Sequence, residues 1–481
     1  MDKQKQNRQD GLGISVKSFL TATVMLFVLM VITYVLTFFV PGGEYERVLA
    51  DEKLQVIPGT FAWTEGEIPF WKWLLSPVLM LGAEGGGTVI AIIIFLLVIG
   101  GIFHCMDQSG LMHYMLLAIS HRYAEHKYRM LMLISLFFMC MGSFVGSFEE
   151  SVPLVPIAVA LAVSMGWDAM VGLGMSLLAI GCGFSTGICN PFTVGVAQQL
   201  ADLPMFSGAM LRIISFTLIY ICLMAYLIRY ARKIEKHPEE SVLYKESGGN
   251  AQQNLREEPF EKDPYKAKGL KCFAVIMGCG IVLIFASAFV SVLQSIMMPM
   301  IAVLFLAAGL SAVRASGMEW KQIGKYFLDG AKSLLPAILL ILMAGSVKYT
   351  LTEAKILDTI LYTMSGIIEQ MPRQAAILML YAFVLVMNFF ISSGSAKAFL
   401  MMPLICPIAD FCGISRQLGV LAFAFGDGFS NVFYPTNPVL LISLGLADVD
   451  YGKWVKWSWK FQVMNLVLTS GILMLGLAIG Y

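Results

Sequence analysis

Charge is what this chain has least of. Only 14% of its 481 residues are Asp, Glu, Lys or Arg, against roughly 25% in ordinary soluble domains. A water-facing exterior cannot be built from so few charges, so most of the outside must face lipid. The net charge of +1 also removes nucleic acid as a partner, because that would demand a basic stripe. No C-x-x-C pair occurs, and the nine cysteines stand singly, mostly inside apolar runs such as those around Cys140, Cys182, Cys189, Cys222 and Cys406. They read as small reduced apolar residues without a metal or disulfide role. H-E-x-x-H and G-x-S-x-G are both missing, and none of the five histidines forms a metal-spaced pair. An intramembrane enzyme therefore has no visible chemistry.

What is abundant is apolar: 58% of residues, including 31 Met and 32 Phe, with a mean hydropathy of +0.76. After a polar, basic N-terminus comes a 22-residue apolar run, Phe19 to Val40. It is too long for a signal-peptide core and lacks a small-residue cleavage site, so it reads as a retained spanning helix. Further spans are expected near 86–105, 169–189, 207–229, 270–291, 295–313, 333–350, 416–434 and 456–480. The fold class is an all-α polytopic membrane protein.

Two stretches echo each other 247 residues apart. Pro156, Gly166 and Asn190-Pro191 recur as Pro403, Gly413 and Asn437-Pro438, and Leu200-Ala201-Asp202 recurs as Leu446-Ala447-Asp448, one residue closer. Each stretch opens with a polar interruption of an apolar run: Gly146-Ser147-Phe148-Glu149-Glu150 in the first, Ser392-Ser393-Gly394-Ser395-Ala396-Lys397 in the second. Matching Gly/Pro-interrupted segments in two halves of a membrane protein point to a transported-solute site. Residues 129–165 and 374–412 are expected to be re-entrant hairpins, tolerated at depth only where the tip lines a cavity or packs in protein.

Basic residues set the orientation. Lys3, Lys5, Arg8 and Lys17 precede the first span, whereas the next segment is acidic (Glu44, Glu46, Asp51, Glu52, Glu65, Glu67). The N-terminus is thus expected inside, together with 106–129 and 229–271. An even number of crossings must lie between those last two segments, which a returning hairpin plus two spans supplies. The helix at 270–291 then makes the second unit enter with opposite polarity. The expected organisation is a first inverted repeat (1–230), a flexible cytoplasmic linker (231–268) and a second inverted repeat (269–481). Residues 62–83, with Trp63, Trp71 and Trp73, read as an interfacial helix. Amphipathic 108–122 and 352–369 read as in-plane arms.

Candidate site residues follow from the interruptions. Glu149 and Glu150 at membrane depth cost free energy unless paired, hydrated or protonated; they are candidates for a cationic substrate group or a coupling cation. Snorkelling is the bland alternative for Lys397. Otherwise it binds a substrate carboxylate or pairs with one of the two Glu. Ser147, Ser393, Gly394 and Ser395 offer hydroxyls and open backbone. Prolines 191 and 438 unravel the turn before them, which exposes carbonyls beside Asn190, Thr193, Asn431, Thr436 and Asn437. Asp427 is a proton or cation site, or half of an internal ion pair. Asp202 and Asp448 are expected to cap the helices that follow. No cofactor is expected; sodium or a proton is the candidate coupling ion.

Taken together, Glu149-Glu150, Asn190-Pro191-Phe192 with Val196-Ala197-Gln198, Ser392-Ser393-Gly394-Ser395, and Gly426-Asp427-Gly428-Phe429-Ser430 with Tyr434-Pro435-Thr436 resemble the YfcC-like family of basic amino acid antiporters. That family belongs to the anaerobic four-carbon-dicarboxylate-carrier group of the ion-transporter superfamily, and the resemblance extends over nearly the whole chain. It implies inverted repeats, two re-entrant hairpins and a homodimer working by an elevator mechanism in the bacterial cytoplasmic membrane. Superfamily relatives carry Ser-Asn-Thr signatures for sodium at the tips. The first tip here reads Ser147-Phe148-Glu149-Glu150, which speaks against sodium. The expected substrate is a basic or zwitterionic amino acid, with a dicarboxylate or short-chain carboxylate as the alternative.

Overall fold

The computed structural model describes residues 16–50, 53–83, 86–123, 126–146, 148–244, 261–287 and 297–481. Lys3, Lys5, Arg8, Asp51, Glu52, Ser147 and the middle of the expected linker lie outside the described residues. The helices in chain order are α1 (Val16–Phe39), α2 (Gly86–Gln108), α3 (Leu111–Tyr123), α4 (Lys127–Cys140), α5 (Val155–Ser164), α6 (Ala169–Leu173), α7 (Ala179–Thr186), α8 (Val196–Leu200) and α9 (Ala209–Lys236). After the linker come α10 (Pro264–Ser287), α11 (Met297–Ala315), α12 (Trp320–Ser333), α13 (Leu335–Glu353), α14 (Ile356–Ile368), α15 (Arg373–Phe390), α16 (Gly394–Phe411), α17 (Arg416–Gly428), α18 (Pro438–Leu446) and α19 (Tyr451–Ile479). Among the described residues, seven helical stretches are long and apolar enough to cross a bilayer. The protein is a mostly helical, multi-pass membrane protein.

It is not purely α. Four short strands, β1 (Gly42–Glu44), β2 (Arg47–Ala50), β3 (Lys53–Val56) and β4 (Ala62–Thr64), pair antiparallel as β1–β4 and β2–β3. Runs of three or four residues are too short to display an alternating pattern, so sequence periodicity could not reveal them. They dock on α14. The Gly43 N–H donates to the Lys355 carbonyl at 3.0 Å. Arg47 grips both carboxylate oxygens of Asp358 at 2.8 Å, and the Tyr45 N–H donates to the same carboxylate at 2.9 Å. The Phe61 ring stacks on Tyr362, centroids 4.1 Å apart. Burial next to Asp358 pushes the Tyr45 phenol up to about 12. Where an interfacial helix was expected at 62–83, strand β4 is followed by short helical turns over Phe70–Leu74 and Ser76–Leu79. Trp73 anchors them by donating from Nε1 to the Met30 carbonyl at 3.1 Å.

The segment from Lys127 to Asp168 returns to its starting point. Its two ends meet at Glu235 near the end of α9: Lys127 pairs with that carboxylate, Tyr128 donates its hydroxyl to it at 2.7 Å, and Trp167 donates Nε1 at 2.6 Å. The segment from Arg373 to Cys412 also folds back, since the Cys412 thiol reaches the Ile368 carbonyl. Its far end lies at the opposite end of α9. There Gln417 donates to the Ser207 carbonyl at 2.8 Å, and Arg416 donates to the Ala201 carbonyl at 3.1 Å. A 28-residue helix separates the two bases, on the order of 40 Å at 1.5 Å per residue.

Local structure repeats along with sequence. Gly166 and Gly413 both adopt positive φ (82° and 66°), as do Asp202 and Asp448 (56° and 50°). Asp202 and Asp448 therefore do not cap the following helices, as the sequence suggests; they turn the chain instead. Asp450 caps α19, and Gly208 precedes α9. The expected linker is also shorter than 231–268, because α9 continues to Lys236 and α10 begins at Pro264. Its start is pinned where Ser241 donates to Asp168 at 2.7 Å beside Tyr230 at 2.6 Å. Burial pushes the Asp168 carboxyl up against the pull of these donors.

The helices pack in two groups. Helices α2, α10, α11 and α12 pack together, with α13 joining α12 and α1, while α7 and α8 pack against α16 and α17, and α4 packs on α7. The turn Glu149–Leu154 lies on the seam, against α11 and α18.

Candidate functional site

Four helix interruptions converge in the second group. Helix α4 runs through a wide turn, Met141–Val145, and ends at Gly146, whose φ of 75° suits only glycine well. A Cβ there would lie 2.3 Å from Asn190 Oδ1, so the first tip rests on the first helix break. The Ser143 carbonyl accepts from the Cys189 N–H at 3.1 Å, and the Ser143 hydroxyl accepts from the Ile188 N–H at 3.0 Å. Asn190 is buried and caps the next turn, its Oδ1 accepting from the N–H groups of Phe192 (2.9 Å) and Thr193 (3.3 Å). Pro191 follows at the first helical position, where a missing N–H costs nothing.

The second tip touches the same break. An added Cβ at Gly394 would lie 2.6 Å from Thr193 Cγ2 and 2.6 Å from Asp427 Oδ2. Three residues on, Lys397 is fully buried, and its Nζ lies 2.6 Å from Oδ1 of the equally buried Asp427. Oδ1 sits off the line of a well-directed hydrogen bond, and Oδ2 has no donor among the described residues. Lys397 also donates to Asn388 Oδ1 and, at 3.1 Å, to the Ile391 carbonyl. It thus pairs with Asp427, and not with Glu149 or Glu150.

Asn388 is the hub of the second break. Its Nδ2 faces the Asp427 carbonyl (3.0 Å), Ser430 Oγ (2.7 Å) and Asn431 Oδ1 (2.9 Å). Asn437 donates to the same Asn431 oxygen at 3.0 Å and caps α18 through the N–H groups of Val439 and Leu440. Thr436 donates to the Phe389 carbonyl at 2.6 Å, which ties the break to the end of α15. Buried polar groups need such partners, and this network satisfies nearly all of them. Asp427 Oδ2 and the Thr193 hydroxyl are exceptions, both fully buried with no hydrogen-bond partner among the described residues.

Glu149 and Glu150 are half-buried and have no basic partner among the described residues. Glu149 lies against an apolar wall of Ile92, Phe95, Leu96 and Ile99 from α2 and Val439 and Ile442 from α18. Asp427 and Glu150 are repulsive neighbours of it. Ser393 is exposed at the second tip and Ser395 half-buried. Thus Asn190, Thr193, Gly394, Lys397, Asp427, Asn431, Thr436 and Asn437 are brought together, Glu149 and Glu150 stand beside them, and Ser147 is outside the described residues. A cavity of about 800 Å³ between the strands and α14, lined by Tyr45, Arg47, Asp358 and Leu400, stands apart from the breaks.

Two residues escaped the sequence reading. Asn388 was visible as a lone amide in an apolar run. Arg212, also alone in an apolar run, is fully buried and donates to the carbonyls of Phe206 (3.0 Å) and Ile188 (3.3 Å). It thereby satisfies one acceptor at the first break, Ile188, and ties it to the turn before α9.

The sequence profile of the DcuC family, described as the C4-dicarboxylate anaerobic carrier, matches residues 19–478. The chain belongs to this family. It is 28% identical over 414 residues to an Escherichia coli (strain K12) protein named "Putative basic amino acid antiporter YfcC", with 82% of this chain and 79% of that one covered. An uncharacterized Haemophilus influenzae protein (strain ATCC 51907 / DSM 11121 / KW20 / Rd) is 27% identical over 379 residues, covering 78% and 72%. Among solved structures, the Alcanivorax borkumensis YdaH transporter matches with a TM-score of 0.43 at 15% identity, covering 96% of this chain and 99% of that one. The Neisseria gonorrhoeae MtrF efflux pump matches with a TM-score of 0.41 at 15% identity, covering 94% of each. The family is one of transporters.

Proposed function

We propose that this DcuC-family member is a secondary active transporter that exchanges a basic or zwitterionic amino acid across the bacterial cytoplasmic membrane by alternating access. One observation carries the reading: Glu149 and Glu150 bring two carboxyl groups to the breaks with no basic partner among the described residues, while Lys397 is already taken by Asp427. The groups left without a partner at the site are acidic, and they suit a cationic solute. The name of the Escherichia coli relative agrees with this. A four-carbon dicarboxylate, which the family description favours, would need a cationic anchor; Lys397 could supply one only by giving up its own carboxylate.

In this reading Glu149 and Glu150 receive the cationic end of the solute. The exposed Ser393, the half-buried Ser395 and the backbone at Gly394 receive its carboxylate, and Thr193 offers a hydroxyl with no partner among the described residues. Asn190, Asn431, Thr436 and Asn437 hold the broken helices in place. The two folded-back segments are hairpins of inverted repeats, which their bases at opposite ends of α9 support. Lys127, Arg232, Lys233 and Lys236 at one end make that end cytoplasmic, with the N-terminus inside. The seam at Glu149 separates a scaffold from a moving unit, as an elevator requires, and the working form is a homodimer.

Equilibrium binding of labelled arginine to purified protein tests the assignment. Glu150→Gln should weaken arginine binding at least about tenfold, equivalent to about 1.4 kcal/mol. Wild-type binding of succinate without any response to arginine, lysine or alanine would favour the carboxylate reading.

A further inference from the structure

We propose that the Lys397 ammonium is a tethered cation filling a built-in monovalent-cation site at the second helix break, so that the protein works without a coupling sodium ion. The inference is independent of which solute is carried.

The ligand set of Nζ is that of a hard cation. It comprises one carboxylate oxygen (Asp427 Oδ1, 2.6 Å), one amide oxygen (Asn388 Oδ1) and one backbone carbonyl (Ile391, 3.1 Å). Oxygen donors of these three kinds are what hard ions take from proteins. The Ile391 carbonyl is available because α15 stops at Phe390 and α16 does not begin until Gly394. Asn388 is held with its oxygen toward Nζ, because its nitrogen is engaged by the Asp427 carbonyl, Ser430 and Asn431. Such outer contacts orient the ligands of an ion site.

Two further oxygens flank the cage. Asp427 Oδ2 and Thr193 Oγ1 are fully buried, lack partners among the described residues, and belong to the two side chains that crowd Gly394. A small ion in place of the ammonium could draw on them. With Lys397 present, a sodium ion would bring a second positive charge to a single carboxylate. With Lys397 removed, Asp427 is left buried and unpaired, a costly state that an ion would relieve. Sodium is thus expected to become a ligand only when the tether is cut.

Thermal unfolding of the full-length protein in detergent, in sodium chloride or choline chloride at equal ionic strength, tests this. Binding to the folded state alone raises the melting temperature steadily with the logarithm of ligand concentration above its dissociation constant. The wild type should melt at the same temperature in both salts. Lys397→Ala should melt lower in choline and be raised by sodium with the logarithm of its concentration, and Lys397→Ala with Asp427→Asn should lose that response. Lys397→Gln, which keeps length without charge, serves in the same comparison if the alanine variant does not fold. A sodium-specific upward shift in the wild type, relative to choline, would overturn the proposal. So would a folded Lys397 variant that does not distinguish sodium from choline.

Discussion

Asn190 and Asn437, 247 residues apart, perform the same task. Each side-chain oxygen accepts the N–H groups two and three residues ahead and starts a helix whose first residue is proline. The two are not energetically equal. Asn437 also donates to Asn431 at 3.0 Å, whereas the Asn190 amide only reaches the Gly142 carbonyl at 3.4 Å. A lost cap costs about 1 kcal/mol, and the lost hydrogen bond from Asn437 to the Asn431 oxygen, which keeps Asn388 as a donor, adds up to about 1 kcal/mol. Asn437→Ala is therefore expected to lower the melting temperature more than Asn190→Ala, in parallel melts under one detergent condition. Equal losses would show that the Asn431 contact is immaterial.

A side chain at Gly394 would force Asp427 or Thr193 to move. A methyl group there would lie 2.6 Å from both Asp427 Oδ2 and Thr193 Cγ2. Gly394→Ala should push the second tip away from the first break and abolish solute binding. Gly324→Ala in α12, where a Cβ meets nothing within 4 Å, should leave binding intact and gain up to about 1 kcal/mol of helix stability. Arginine binding and melting temperatures of the two variants make the comparison.

Much of this site was legible in the sequence because breaking an apolar helix demands particular residues. Pro191 and Pro438, the asparagines before them and the polar tips all stand out against apolar surroundings. Less legible was who pairs with whom: Lys397 was open to Glu149, Glu150 or substrate, and its partner Asp427 lies 30 residues further along the chain. Asn388 and Arg212 passed unnoticed because a single polar residue in an apolar helix looks like a packing group. The strands β1 to β4 were hidden for another reason. Their stability comes from docking on Asp358 and Tyr362, more than 290 residues away, and not from local propensity.

That docking yields its own expectation. Asp358 accepts from Arg47 and from the Tyr45 N–H; hydrogen bonds to a buried charge are worth on the order of 2 kcal/mol. Asp358→Ala should speed amide hydrogen exchange across residues 42–64 and leave exchange at the breaks unchanged. Unaltered exchange in the strands would contradict the clamp.

Topology can be read by chemical labelling. In a cysteine-free background, single cysteines at Arg129, by the base of the first folded-back segment, and at Asp202, by the base of the second, should react from opposite faces of the membrane. Reaction from the same face would remove the inverted arrangement.

The most direct measurement is counterflow in proteoliposomes. Vesicles loaded with unlabelled arginine and placed in sodium-free medium should accumulate labelled arginine; vesicles loaded with succinate should not, and Glu150→Gln should abolish the accumulation. Labelled succinate entering succinate-loaded vesicles, with no arginine exchange and no effect of Glu150→Gln, would contradict the cationic-solute reading.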